Sequence, residues 1–187
     1  SFEAALQKAV RSLELRGKSL LWEAPQWSRN AGGAIDDIPL YPTDLRLWAL
    51  MAALRRDMSV QTLTSVTGID PWFINSCKNI LDMERVLLKE ALTPGLLRTA
   101  KELGFSDQQI GTLADRLPGQ IREIRAKWNI RPVYKMVDTC SAEFEANTPY
   151  FYSTYDDENE AEPLPNPKAL VIGSGPIRIA QGIEFDY

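Results

Sequence analysis

Four polar residues able to cap helices, Ser59, Asp70, Thr93 and Ser106, stand at the starts of amphipathic runs, and two are followed at once by proline, as Asp70-Pro71 and Thr93-Pro94. A short polar side chain at an N-cap accepts a backbone N–H that the first turn leaves without a partner, and proline at the first helical position loses no hydrogen bond there. Signals this closely spaced exclude long rods and require short helices joined by tight turns.

The apolar periodicity from Ser1 to about Ile130 agrees. Phe2, Ala5, Leu6, Ala9, Val10 and Leu13 form one stripe, with Gly17 as the expected stop. Residues 22–41, carrying Pro25, Gly32, Gly33 and Pro39, read as a looped connection. Pro42 or Thr43 is then expected to open a helix through Trp48 to Arg56, with Arg55-Arg56 opposing the negative end of its dipole. A weak repeat follows: Leu63, Val66, Ile69 and Phe73 after Ser59 echo Ile110, Leu113, Leu117 and Ile121 after Ser106, with Pro71 and Pro118 at the same offset. The two windows predict similar helical hairpins.

From Arg131 the character changes. Val133 to Val137 suits a short strand, Ala142 to Ala146 a helical turn, and Thr148 to Tyr155 an aromatic extended segment. Asp156 to Pro167, DDENEAEPLPNP, reads as a solvated linker. Ala169 to Ile172, the turn Gly173-Ser-Gly175 and Pro176 then spell strand, turn and helix start. A parallel unit needs a second strand that does not follow, so the chain is expected to be a piece of a longer polypeptide, with 169–172 disordered or paired to another chain. The fold class expected is mainly α: a bundle of short helices and hairpins over 1–160, of which 1–16 end a preceding region, a linker at 161–167, and the truncated start of an α/β domain at 168–187.

The sequence contains no histidine, which excludes Ser-His and Cys-His nucleophile pairs and histidine-bearing zinc sites. Cys77 and Cys140 are far apart and lack metal-ligand spacing, as expected for reduced thiols. Residues 1–130 carry 17 Lys and Arg against 15 Asp and Glu, and 131–187 carry 4 against 10, so neither part has the excess of positive charge that a phosphate backbone would require. No run is long enough to span a membrane and no signal peptide is seen; neither nucleic acid nor membrane is an expected partner, and the expected location is the cytoplasm.

Three motifs carry functional alternatives. Gly173-Ser-Gly175-Pro-Ile-Arg178 approaches a dinucleotide fingerprint but has Arg178 where the third glycine belongs, so a nucleotide loop over Gly173 to Gly182 competes with a plain strand-to-helix turn. Asp156, Asp157, Glu158, Glu160 and Glu162 lack EF-hand spacing and read as solvated, with no metal site expected. The hairpin Ser59 to Ile80 has the shape of a helix-turn-helix, yet its second helix offers no arginine before Arg85, which favours packing or protein contact over DNA. Among the five tryptophans, Trp48 and Trp72, with Phe73, are the candidates for an interface.

Three stretches together resemble the large chain of carbamoyl phosphate synthetase: TGIDPWFINSCKNILDMERVL (Thr67 to Leu87), VYKMVDTCSAEFEANTPYFYSTYDDENE (Val133 to Glu160) and ALVIGSGPIRIAQGIEFDY (Ala169 to Tyr187). The resemblance implies a helical oligomerisation domain between two ATP-grasp synthetase halves, followed here by the opening strand of the second half, a pre-ATP-grasp domain. The intact enzyme would be a ligase making carbamoyl phosphate from bicarbonate, glutamine-derived ammonia and two ATP, for pyrimidine and arginine biosynthesis. It implies that ATP, Mg²⁺ and K⁺ bind elsewhere in that enzyme and that this segment has no catalytic or cofactor residues of its own. It also implies self-association and a glutaminase small subunit or domain as partner. Arg178 and Glu184 match the charged positions of a loop beside the internal passage for carbamate; an arginine can hydrogen-bond such an intermediate and a glutamate can balance it.

Overall fold

Every helix start that the capping residues mark is a helix start in the computed structural model, which describes residues 1–13, 15, 18–28, 38–144, 150–163 and 165–170. The chain divides into two compact units, Ser1–Pro132 and Val133–Tyr187. The first contains α1 (Phe2–Ser12), α2 (Pro25–Ser28), α3 (Arg46–Arg55), α4 (Val60–Thr67), α5 (Pro71–Lys89), α6 (Pro94–Glu102), α7 (Asp107–Leu113) and α8 (Pro118–Lys127). Ser59, Asp70, Thr93 and Ser106 accept the backbone N–H of Thr62, Trp72, Leu96 and Gln109, and Gln109 returns a side-chain acceptor to the Ser106 N–H.

The helix ends are equally explicit. After α3, α6 and α8 the chain turns through Asp57, Gly104 and Asn129 at positive φ, and the next N–H reaches back to Ala53, Ala100 and Arg125 carbonyls, closing the last turn. At Gly104, φ is +88° and an added Cβ would lie 2.7 Å from Ala4 Cα, so this turn is also where α1 presses against the chain.

The repeat is a structural one, with a corrected register. Nine residues after each cap serine the chain turns left-handed, at Gly68 and at Asp115, and proline opens α5 and α8 three residues later. The fully buried equivalents are Leu63 with Ile110 and Ile74 with Ile121. Phe73, the apolar position that the sequence repeat aligned with Ile121, stands one residue off this register and faces outward.

At the centre lies α3, buried all round from Trp48 to Leu54, as expected of a helix with neighbours on every side. It begins at Arg46 rather than at Pro42 or Thr43, because Thr43 accepts the Arg46 N–H in a turn and Leu45 is the N-cap. The burial of α1 also differs from its apolar stripe: Glu3, Gln7 and Val10 face inward, while Ala5 and Ala9 are exposed. The polar pair is buried because partners await it. Glu3 accepts from Asn79 Nδ2 at 2.9 Å; Gln7 donates to the Leu103 carbonyl at 3.0 Å and accepts from Gln109 Nε2 at 2.7 Å. The α1 helix ends at Ser12, and Gly17 lies outside the described residues.

Among its described residues the second unit has two strands, β1 (Val133–Met136) and β2 (Phe151–Thr154), antiparallel with Val133 opposite Thr154 and Met136 opposite Phe151. The outer edge of β1 is covered by the acidic segment: Asn159 Oδ1 accepts the Tyr134 N–H, the Tyr134 carbonyl accepts the Glu160 N–H, and Glu160 Oε2 accepts the Met136 N–H. Residues read as solvated linker therefore close an exposed strand edge. Ser141 and Ala142 have φ of 53° and 60°, and Asp138 accepts the N–H groups of Cys140 and Ala142, so a side-chain-supported turn leads through Ala142, where the helical turn over Ala142 to Ala146 was expected to begin; residues 145 and 146 lie outside the described residues.

Candidate association surface

Asp70 and Pro71 fix the first turn of α5 and project Trp72 and Phe73 from it, because the Asp70 carboxylate accepts the Trp72 N–H at 2.8 Å. Ser1 caps α1 at Ala4 and sets Phe2 beside them. The three rings meet edge to face, with centroids 5.2 Å apart for Phe2–Trp72, 5.4 Å for Phe2–Phe73 and 5.0 Å for Trp72–Phe73. The cluster sits on a tied base, since the Glu3–Asn79 hydrogen bond joins α1 to α5 about two turns further along α5.

Trp72 is 57 % exposed and Phe73 46 %, although each has an aromatic neighbour. Trp48, the other candidate, is only 3 % exposed, packs edge to face on Trp22 and donates its indole N–H to the Ser19 carbonyl at 2.9 Å. Its ring is taken up by this chain's own core. Arg178, Glu184 and the Gly173–Gly182 loop lie outside the described residues.

Around the rings the polar groups are engaged within the chain, the Asp70 and Glu3 carboxylates by the Trp72 N–H and the Asn79 amide. Asn75 donates to the Pro71 carbonyl and Ser76 to the Trp72 carbonyl. Further along α5, Lys78 pairs with Asp82 at 2.8 Å, and Arg85 pairs with Asp57 at 2.6 Å. An aromatic centre bordered by polar groups that are hydrogen-bonded or ion-paired within the chain is the composition of an interface core and rim. Among the described residues no three His, Cys, Asp or Glu side chains converge as a metal group, and no helix is long and apolar enough to cross a membrane.

Two features of the site's support were not foreseen. Arg55 and Arg56, read as helix-end charges, bind the 20–27 segment: Arg55 reaches the Leu20 carbonyl and Glu23, and Arg56 reaches Glu23 and the Trp27 carbonyl. Buried Glu84 completes this network on α5. Burial lifts the Glu84 carboxyl above its ordinary range against the pull of Arg55. The second is a triad in which Asp107 receives Arg125 at 2.9 and 2.7 Å and Lys101 at 3.0 Å, fastening α8 and α6 to α7. Charged residues spaced along three helices give no sign in sequence of such convergence.

The fold and surface define an all-α module of capped hairpins with an exposed aromatic cluster. Residues 1–129 match the family model described as the oligomerisation domain of the carbamoyl-phosphate synthetase large chain. The chain is 52 % identical over 186 residues to the carbamoyl phosphate synthase large chain of Thermomicrobium roseum, 46 % over 187 to that of Caldanaerobacter subterraneus subsp. tengcongensis, and 43 % over 194 to that of Archaeoglobus fulgidus. All of this chain is covered in each comparison, against 17 %, 17 % and 18 % of the relatives. The chain belongs to the carbamoyl phosphate synthetase large-chain family, and it spans about a sixth of the length of the relatives it matches.

Proposed function

We propose that this chain is the assembly module of a carbamoyl phosphate synthetase large chain and that it self-associates through the Phe2, Trp72 and Phe73 cluster. The observation that supports this most is the exposure of two large aromatic side chains beside each other on α5, within residues that match an oligomerisation domain. Tryptophan and its aromatic neighbours are the residues that most often dominate association energy. In this reading the module has no active site of its own. The parent enzyme is a cytoplasmic ligase that forms carbamoyl phosphate from bicarbonate, two ATP, and ammonia released from glutamine by a glutaminase subunit or domain. ATP, Mg²⁺ and K⁺ belong to its synthetase halves, the second of which opens at residues 168–187. Arg178 and Glu184 then border the carbamate passage in the intact enzyme.

Sedimentation velocity over a hundredfold range of concentration tests the association. A reversible shift from monomer to dimer or higher order is expected, and a monomer throughout would remove the self-association role. Bicarbonate-dependent ATP hydrolysis by this chain alone would overturn its reading as a module without an active site.

A further inference from the structure

A cleft of about 310 Å³ opens between the C-terminal end of α1, Leu15, residues 18–22 and α7, remote in sequence from the aromatic cluster of α5. Its wall is built rather than incidental. The 18–22 segment is pinned from behind by the Trp48 indole on the Ser19 carbonyl and by Arg55 on the Leu20 carbonyl, and Leu20 itself is buried.

Among the described lining residues the charge is of one sign. Arg11 and Lys18 both face the cleft, and no aspartate or glutamate stands among the described lining residues, in a chain whose net charge is −4. Arg11 is held by one edge: its Nη1 donates to the Gly104 carbonyl at 2.7 Å and lies 3.5 Å from Gln109 Oε1. Gln109 is fixed in turn by its bonds to Ser106 and Gln7. The guanidinium is thus oriented without being neutralised by any described carboxylate. Lys18 Nζ sits 4.0 Å above the Trp22 ring, a contact that positions the ammonium and leaves its hydrogen-bonding capacity free for an anion. Leu15, Leu21 and the Trp22 ring supply an apolar floor. Two oriented cations over an apolar, aromatic floor, in a cleft at the small end of ligand-site volumes, match a compact organic anion better than a bare ion.

We propose that this cleft binds a small organic anion, a carboxylate or phosphate monoester on a planar apolar body, with Arg11 and Lys18 on the anionic group and Trp22 against the body. The site is independent of the association surface and survives its loss.

The test uses the 187-residue chain with phenyl phosphate, benzoate, inorganic phosphate and phenol as probes, followed by calorimetry and by the NMR shifts of the Trp22 indole and the α7 amides. Phenyl phosphate or benzoate is expected to bind at about 1 mM or tighter and to shift those signals; tighter binding of either supports the site and names its head group. Lys18→Gln and Gln108→Glu are both surface changes that leave the fold intact, and the second sets a carboxylate in the cleft. Each is expected to weaken binding about tenfold. Phosphate or phenol binding as well as the aromatic anions would overturn the proposal, as would the absence of any shift at about 10 mM probe or binding indifferent to both substitutions.

Discussion

The Arg55 guanidinium grips both carboxylate oxygens of Glu84, Nε at 2.9 Å and Nη2 at 2.8 Å, and so joins the central helix α3 to α5, which carries the aromatic cluster. Both groups are largely withdrawn from water, with side-chain exposures of 19 % and 4 %. The bond's value therefore depends on both partners being present: removing one leaves a buried charge, whereas removing both leaves an apolar contact.

Arg55→Met is expected to destabilise the chain by about 3–5 kcal/mol in urea unfolding, because Glu84 loses its counter-charge. Arg55→Met with Glu84→Met should recover much of that loss. A double variant no more stable than the single one would show that the pair stabilises the fold beyond its desolvation cost.

The Asp107 triad makes stability depend on acid. Burial opposes ionisation of Asp107, but hydrogen bonds from Arg125 and Lys101 outweigh it and hold the carboxyl below its ordinary range. A depressed carboxylate pKa contributes stability that is complete above the unfolded value, about 4, and is lost as pH falls through the folded value. Asp107→Asn is accordingly expected to cost about 2 kcal/mol at pH 7. The gap between variant and parent should close as the urea midpoint is followed down through and below the unfolded carboxylate range, and a gap constant with pH would contradict this account.

Local chemistry was legible in the chain and long-range chemistry was not. Ser59, Asp70, Thr93 and Ser106 declared their helices because a cap acts on an N–H two or three residues away. The buried face of α1 was hidden because Glu3 and Gln7 are satisfied by Asn79, Leu103 and Gln109, groups at least 76 residues distant. The register of the repeat was off by one for a related reason: apolar spacing marks a face as hydrophobic without saying whether its neighbour is the same chain, and Ile74 rather than Phe73 holds the core position equivalent to Ile121. The edge-closing role of Asn159 and Glu160 likewise had no sign in an acidic, proline-rich composition.

Two glycines separate conformational need from habit. Gly104→Ala is expected to cost about 2 kcal/mol or more, since its φ of +88° is unfavourable to a side chain and the new Cβ would lie 2.7 Å from Ala4 Cα. At Gly95, in α6, a Cβ meets nothing within 4 Å, so Gly95→Ala should be neutral or stabilising by up to about 1 kcal/mol. Thermal unfolding of the two variants checks the contrast, and equal shifts would refute it.

Cys77 and Cys140 should differ in reactivity. Burial, with the Glu3 charge adding to it, pushes the Cys77 thiol up to about 11, whereas Cys140 is partly open to solvent. Since the thiolate is the nucleophile, Ellman's reagent at pH 8 is expected to titrate one thiol quickly in the native chain and the second only on unfolding. Two fast thiols would place Cys77 outside the α5 core.

Trp48 and Trp72 offer the sharpest separation of core from surface. Trp48 is enclosed and hydrogen-bonded, so Trp48→Ala is expected to lower stability by about 3–5 kcal/mol. Trp72 is more than half exposed and meets Phe2 and Phe73 edge to face, so Trp72→Ala should shift stability by about 1 kcal/mol or less. In an association interface the same truncation has the opposite weight: a buried aromatic anchor contributes about 2 kcal/mol or more, which is roughly a thirtyfold rise in the dissociation constant. Sedimentation of Trp72→Ala beside its unfolding curve reads both quantities on one sample. Weakened self-association at unchanged stability assigns the ring to the interface, whereas unchanged self-association would move the interface to another face of the helical unit.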